Sequence, residues 1–307
     1  MRFIVTGGAG FIGSFLVEGL VELGEVKVID DLSSGKLENL AHLLERDDVS
    51  LERLSVTDLE GMKPHFEDVD CVFHLAAISN ISSSVADPLR TNEVNIKGTL
   101  NTLLAARDHG VRKVVFASSA SVYGDTEEVP TTESATPAPL SPYAVTKLAG
   151  EYYCDVFSDL YGLETTSLRP FNVYGPRQDP GSQYAGVIPL FISSLLRGEA
   201  PTIDGDGEQT RDFVYVKDVA KAFTQAMDHG KRGAYNVAAG KGISINELFR
   251  QVSMILGVDV EPLYGESRPG DIRHSTADIT RARRELEYEP EYDIRRGLEE
   301  TIASFSL

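Results

Sequence analysis

Short β-branched runs alternate with longer helical patterns through the first half of the chain, as in a parallel sheet covered on both faces. The pattern predicts strands at 2–6, 26–30, 49–54, 71–75, 113–119 and 164–169. Apolar positions at helical spacing predict helices at 11–23, 91–109 and 142–161. After Pro170 the character changes. Gly- and Pro-rich loops at 174–186, 198–207 and 265–270 separate shorter elements. The stretch 211–228 again reads as a strand and a helix, expected to return to the main sheet. No internal repeat or low-complexity tract interrupts the pattern.

A chain of 307 residues can hold one large core or two domains sharing a cleft. Its 29 basic and 47 acidic residues give a net charge of −18. Such a surface repels nucleic acid and anionic membranes, so neither is an expected partner. An anionic small ligand would have to be met by a few placed basic groups. Cys71 and Cys154 are the only cysteines, each in an apolar stretch, and read as reduced core residues. No signal-peptide layout and no apolar run of membrane-spanning length is present, so a cytoplasmic protein is expected. The six histidines lack metal-ligand spacing, and no metal is expected. His74, at a predicted strand end, reads as a structural histidine.

The segment Thr6-Gly7-Gly8-Ala9-Gly10-Phe11-Ile12-Gly13 follows a predicted strand and opens a predicted helix. Glycines there permit a tight turn, let backbone N–H groups approach a pyrophosphate, and let helix pack closely on strand. No Lys or Arg occurs between Phe3 and Val26, so the helix N-terminus must supply positive potential itself. Asp30 ends the second predicted strand, where a carboxylate accepts hydrogen bonds from an adenosine ribose. Asp31 beside it repels a 2′-phosphate. NAD is therefore the expected cofactor rather than NADP. The fold class that follows is α/β: a doubly wound parallel-sheet Rossmann fold with a smaller α/β substrate domain. Residues 1–172, with 211–235 returning to them, are expected to form the NAD-binding domain. Residues 173–210 and 236–307 form the other.

Tyr143 and Lys147 stand four apart in Ser141-Pro142-Tyr143-Ala144-Val145-Thr146-Lys147. Ser141 is a good N-cap and Pro142 a good first helical residue, so phenol and ammonium share a helix face. A cation about 5 Å away, at an effective dielectric near 20, contributes roughly 3 kcal/mol, or about two pKa units. That shift would bring a phenol that normally titrates near ~10 towards use as a general base. On spacing alone, the pair also fits an ordinary exposed helix. Ser119 ends the fifth predicted strand and completes a candidate catalytic set with Tyr143 and Lys147.

The glycine fingerprint, Asp30, the Ser119/Tyr143/Lys147 set and Arg169-Pro170-Phe171-Asn172-Val173-Tyr174-Gly175 together resemble the extended short-chain dehydrogenase/reductase family, in its UDP-sugar 4-epimerase branch. The resemblance spans essentially the whole chain. It implies that Tyr143 is the base, that Lys147 holds the nicotinamide ribose and lowers the tyrosine pKa, and that Ser119 hydrogen-bonds the reacting hydroxyl. It further implies cofactor contacts at Asp58, Leu75, Ala76, Ala77, Asn95, Ser118 and Pro170. The implied reaction oxidises a sugar 4-hydroxyl to a 4-keto group and reduces it again from the other face, with no net oxidation. Related dehydratases usually carry an Asp-Glu pair after the serine, and decarboxylating relatives keep the Glu. Ala120-Ser121 stands there instead, which disfavours both reactions. A UDP-glucuronate 4-epimerase, a dTDP-sugar dehydratase and a non-catalytic NAD-sensing protein are the alternatives. A sensor would be expected to lose the Tyr/Lys pair.

The same resemblance assigns the substrate diphosphate to Arg211 and Arg268, with Asn172 donating to it and Asp271 holding a uridine ribose hydroxyl. Guanidinium suits phosphate because it offers a planar fork of donors, although a surface ion pair is the commoner role for any single arginine. Val187 is expected near the sugar, where Tyr184-Ala185-Gly186-Val187 lacks the paired asparagines of some narrow epimerases. Ser275 falls where narrow-specificity 4-epimerases place a large tyrosine against the sugar C2 substituent. A serine there leaves room for an N-acetyl group, so UDP-N-acetylhexosamines are expected substrates beside UDP-glucose and UDP-galactose. A homodimer is also implied, through the helix near Pro142 and the predicted helix 91–109.

Overall fold

The structure is a computed structural model that describes residues 1–178, 186–267 and 272–305. Thirteen strands occur among them. In chain order they are β1 Arg2–Thr6, β2 Glu25–Ile29, β3 Val49–Glu52, β4 Cys71–His74, β5 Lys113–Ala117, β6 Glu164–Pro170 and β7 Asn172–Tyr174. There follow β8 Thr202–Asp204, β9 Thr210–Tyr215, β10 Ala234–Val237, β11 Gly242–Ser244, β12 Leu263–Gly265 and β13 His274–Ser275. Seven of them form one sheet in the order β10-β6-β5-β4-β1-β2-β3, every pair parallel. The six strands predicted for the first half are all present, within two residues at each end.

Alternation along these strands feeds two cores. Phe3, Val5, Phe73 and Val115 point into one, with Leu16 and Val17 of the Phe11–Leu20 helix and Phe223 of the Val216–His229 helix. Ile4, Val72, Val114 and Phe116 point into the other, with Leu103, Cys154 and Phe157 from the helices Gly98–Asp108 and Pro142–Tyr161. Residues one apart on a strand face opposite sides, so a sheet covered twice needs the near-continuous apolar runs seen in β4 and β5. The chain winds one way from β1 to β3 and the other way from β4 to β10. The reversal between β1 and β4 opens a crevice at the carboxyl ends of these strands.

Three predicted elements came out differently. The first helix stops at Leu20 rather than Leu23, because the chain must turn sharply into β2. At Gly24 a Cβ would lie 2.0 Å from the Met1 carbonyl oxygen. The predicted helix 91–109 is a succession: Pro88–Asn92, a π-helical turn Glu93–Lys97, then Gly98–Asp108. Within 211–228, β9 does not join the large sheet but pairs with β7, β11 and β13 in a smaller one. The helix after β9 and then β10 make the return, β10 lying beside β6.

The Pro142–Tyr161 helix lies so close to β5 that a Cβ on Gly150 would sit 2.4 Å from Phe116 Cζ. Phe116 is buried and ringed by core. Alanine would gain about 1 kcal/mol in helix propensity at this site, but overpacking costs about 1–3 kcal/mol. Gly150→Ala is therefore expected to lower the thermal midpoint and the activity together. An unchanged or raised midpoint would show that helix and sheet are less tightly apposed than described.

Candidate active site

The helix that carries Tyr143 and Lys147 starts as its sequence dictates. Ser141 Oγ accepts from Ala144 N–H at 3.2 Å, and Pro142 occupies the first position, where no donor is needed. Tyr143 N–H, a second orphan donor of the first turn, is met by Ser84 Oγ at 3.1 Å. Thr146 Oγ1 donates to the Tyr143 carbonyl at 2.7 Å and receives Asn95 Nδ2 at 2.9 Å. Tyr143 is thus fixed at its backbone by Ser84 and, through Thr146, by Asn95.

Tyr143 and Lys147 are both buried. Lys147 Nζ donates to the Ala117 carbonyl at the end of β5 at 2.7 Å, 5.2 Å from the Phe116 ring centroid and 5.8 Å from that of Tyr143. Ser119 caps the short 3-10 turn Ala120–Tyr123, accepting from Ser121 N–H at 3.1 Å, and hydrogen-bonds the Tyr143 phenol. The three side chains meet as expected. The electrostatics correct the arithmetic based on spacing. Burial pushes the Tyr143 phenol above its ordinary value, and the Ser119 hydrogen bond only partly opposes it. The ammonium is engaged by a carbonyl rather than aimed at the phenol oxygen, and its own burial brings it down to about 8. Both groups have lost water, which outweighs their mutual effect.

A cleft of about 730 Å³ runs from this set to the glycine loop. Gly7, Gly10, Phe11, Ile12 and Gly13 line it, as do Asp30, Asp31, Leu75, Ala76 and Ala77, and then Ser118, Ser119, Tyr143, Lys147 and Pro170. The residues fit a dinucleotide. Gly7 has a φ of +72°, and a Cβ there would lie 2.7 Å from Ala76 N. A Cβ on Gly13 would lie 2.2 Å from the Gly7 carbonyl oxygen. Only glycines leave the helix N-terminus open to a phosphate. Asp30 is buried at the end of β2, its carboxylate accepting from Ala9 N–H at 3.0 Å and Leu32 N–H at 2.8 Å. Burial raises its pKa, against those two bonds. Asp31 accepts from Ser33 N–H at 2.9 Å.

Asp58 and Asn95 are not among the lining residues. Asp58 caps the Leu59–Met62 turn through Gly61 N–H at 3.0 Å. Asn95, in the π-helical turn, accepts from Ile78 N–H at 2.8 Å and donates to the Ile78 carbonyl at 3.0 Å. Its amide is spent on fixing the chain that leads from Ala77 into the cleft wall. His74 is buried between Thr6 Oγ1 at 2.7 Å and Thr99 Oγ1 at 2.9 Å. Thr99 gives its own proton to the Asn95 carbonyl, so Nε2 carries the imidazole proton and Nδ1 accepts from Thr6. Burial brings His74 down to about 3, which keeps it neutral and structural. Both cysteines are free and buried, and burial pushes the Cys71 thiol up to about 12.

On the substrate side, Arg211 pairs with Ser275 across β9 and β13, while Asn172 pairs with Phe213, two residues along β9. Paired and alternate residues share a sheet face, so Asn172, Arg211 and Ser275 lie on one face of the smaller sheet. Arg211 Nη1 donates to the Thr210 carbonyl at 2.9 Å. Val187 opens the Val187–Leu196 helix. Arg268, Asp271, Tyr184 and Ala185 lie outside the described residues. Sequence reasoning missed Ser79, Asn80, Ser83, Arg90, Arg177 and Gln178 in the cleft lining. Ser79 and Asn80 lie two and three residues past the expected Leu75–Ala77 contacts, and that continuity is the available signal. Arg177 had none.

A parallel-sheet crevice with a fingerprint glycine loop, a buried acid after β2 and a Ser/Tyr/Lys set facing it is the arrangement of a dinucleotide enzyme of the short-chain dehydrogenase/reductase kind. Residues 3–238 match the model of the NAD dependent epimerase/dehydratase family, and the chain belongs to that family. It is 42% identical over 310 residues to the UDP-glucose 4-epimerase of Mycolicibacterium smegmatis, covering 99% of this chain and 98% of that one. The solved UDP-N-acetylglucosamine 4-epimerase of Methanobrevibacter ruminantium, in complex with UDP-N-acetylmuramic acid, superposes with a TM-score of 0.96 at 43% identity. That match covers 99% of this chain and 98% of that chain. The UDP-glucose 4-epimerase of Thermus thermophilus, solved with NAD, gives a TM-score of 0.89 at 38% identity, covering 100% of this chain and 99% of that chain.

Lys147 sets a pH signature of the fold. An unfolded lysine titrates near ~10.4, whereas this one is brought down to about 8. Between those values the unfolded chain holds a proton that the folded chain has released, so stability rises with pH there. In cofactor-stripped protein, the wild type should gain stability relative to Lys147→Met between pH ~8 and ~10. Urea unfolding of both proteins across that range reads the difference, and a flat difference would place the ammonium in water.

Proposed function

We propose that the protein is an NAD-dependent 4-epimerase of UDP-hexoses. The observation that carries this reading is the Ser119/Tyr143/Lys147 set at the cleft with Ala120-Ser121 following it. Eliminating water from a sugar, or losing a carboxyl group, calls for a further acid or base beside the ketone. No carboxylate stands at those two positions, and reversible oxidation at one hydroxyl is what remains.

In this mechanism Tyr143 takes the proton of the sugar 4-hydroxyl while Ser119 holds that oxygen, and returns the proton after the 4-keto sugar has turned over in the site. When bound, NAD would supply a reversible two-electron acceptor for the sugar C4 and a positive charge in the cleft. Gly7, Gly10, Gly13, Asp30 and Lys147 would hold it. At neutral pH Lys147 stays largely protonated, since its pKa of about 8 lies above. Its charge and the ligand's together oppose the burial that raises Tyr143. The diphosphate would be met by Arg211, Arg268 and Asn172, the uridine ribose by Asp271, and the sugar C2 substituent by Ser275. In this reading the dinucleotide belongs to the larger sheet and the sugar nucleotide to the smaller one. The similarity to an N-acetylglucosamine epimerase supports room at C2.

A cytoplasmic location belongs to the same proposal, and no described helix is long and apolar enough to cross a membrane. So does a homodimer. Val145, Tyr152, Val156 and Leu160 form an exposed apolar stripe along the Pro142–Tyr161 helix, with Leu89 and Val85 exposed on the neighbouring helices. Such a stripe fits a second copy of the same helix. Light scattering should give twice the chain mass, and a monomer for Val156→Glu/Leu160→Glu. A wild-type monomer at micromolar concentration would remove the dimer.

The activity is tested by incubating the protein with a panel of UDP-sugars and no added cofactor, reading C4 configuration by NMR. UDP-glucose, UDP-galactose and their N-acetylated amino forms should each reach a C4-epimer mixture. Ser275→Tyr should depress the N-acetylated substrates by about tenfold or more relative to the others. A 4-keto-6-deoxy product would overturn the reading. Equal turnover of both classes by Ser275→Tyr would remove only the C2 assignment.

A further inference from the structure

The glycine-loop helix has no basic residue of its own, yet a cation reaches it from far along the chain. Arg177 stands beyond β7 with a left-handed backbone, φ +67°, a conformation that costs a non-glycine residue and persists where its surroundings hold it. Its guanidinium crosses to the Phe11–Leu20 helix. Nη1 donates to Ser14 Oγ at 3.0 Å, Nη2 donates to the Glu18 carboxylate, and the group lies 4.3 Å above the Phe15 ring. Ser14 gives its own proton to the Phe11 carbonyl, so it is free to accept. The same Glu18 oxygen meets His42 Nε2 at 2.9 Å, on the chain that follows Asp30 and Asp31. One carboxylate thus gathers three separate stretches of chain that surround the cofactor cleft.

Arg177 itself lines that cleft, with Val173 and Gln178 on its side and Phe11, Ile12 and Gly13 opposite. An ordinary surface ion pair contributes little. This one is only about a quarter exposed, at 23% for Arg177 and 30% for Glu18, and adds a hydroxyl acceptor and a ring contact. We infer that Arg177 and Glu18 form a latch that retains NAD, pinning the cleft wall at Val173 and Gln178 to the helix whose first turn faces the dinucleotide. NAD leaves when the pair opens. An enzyme that oxidises and re-reduces the same substrate gains from such retention, since a departing cofactor would strand it half-way. The inference rests on the dinucleotide site and not on the identity of the sugar.

The test compares NAD-loaded wild type with Glu18→Gln, Arg177→Gln and the double variant, in the absence of any sugar. Released NAD is trapped by alcohol dehydrogenase with ethanol and read as NADH fluorescence. Each single variant should release NAD about tenfold faster, and the double variant no faster than the worse single one, as for two groups acting through one contact. Arg177→Lys, which keeps the charge and loses the fork and ring contact, should fall between. Thermal unfolding with and without NAD gives a second readout: whatever their stripped midpoints, the variants should lose part of the NAD-induced shift that wild type shows. Wild-type release rates in both single variants, or effects that multiply in the double variant, would overturn the latch.

Discussion

The site depends on one packing contact, that of the Pro142–Tyr161 helix against the carboxyl ends of β5 and β6. Gly150 lets the helix approach Phe116, and at that distance Lys147 reaches the Ala117 carbonyl. One turn further along the same face, Glu151 forms a two-bond pair with Arg169 at 2.8 and 2.6 Å and accepts from Ser118 Oγ. Both charged side chains are buried. A buried pair of this kind is weak support for stability, because desolvation offsets much of its attraction. Its geometric effect is direct. With the Ser118 bond it ties the helix bearing Tyr143 to the strand end that leads to Ser119, so the two side chains are held in register.

That closeness carries an electrostatic cost visible in the pKa values. Burial pushes Tyr143 up and Lys147 down, each away from the form that base catalysis uses. A dry site strengthens any charge later placed within it, so ligand charge has more leverage on the phenol here than in water. In the empty protein Tyr143 is accordingly held in its neutral form. In the proposed mechanism, retaining NAD and tuning Tyr143 are then linked requirements, and the long-range contact of Arg177 with Glu18 serves the first of them.

Much of this is legible in the sequence. The parallel sheet follows from β-branched runs buried on both faces, and the glycine loop from its place between strand and helix. The start of the tyrosine helix follows from Ser141 and Pro142. What local pattern could not reveal was long-range. β9 looks like another strand of the large sheet, because burial on both faces is common to both sheets and only pairing partners separate them. The π-helical turn at Glu93–Lys97 has no signature in spacing, and neither has the engagement of its Asn95 amide by the Ile78 backbone. Arg177 was invisible for the same reason: its role depends on Glu18, far away in sequence. The sign of the Tyr143 shift failed because a pairwise charge estimate omits the water both groups lose.

The central claim is that one sugar carbon is oxidised and re-reduced without exchange with the surroundings. It is tested most directly with UDP-glucose carrying deuterium at C4, incubated in ordinary water with no added cofactor. The account predicts UDP-galactose that retains the deuterium at C4 in full, with none appearing in solvent. Inversion accompanied by loss of the label, or deuterium released without inversion, would contradict it.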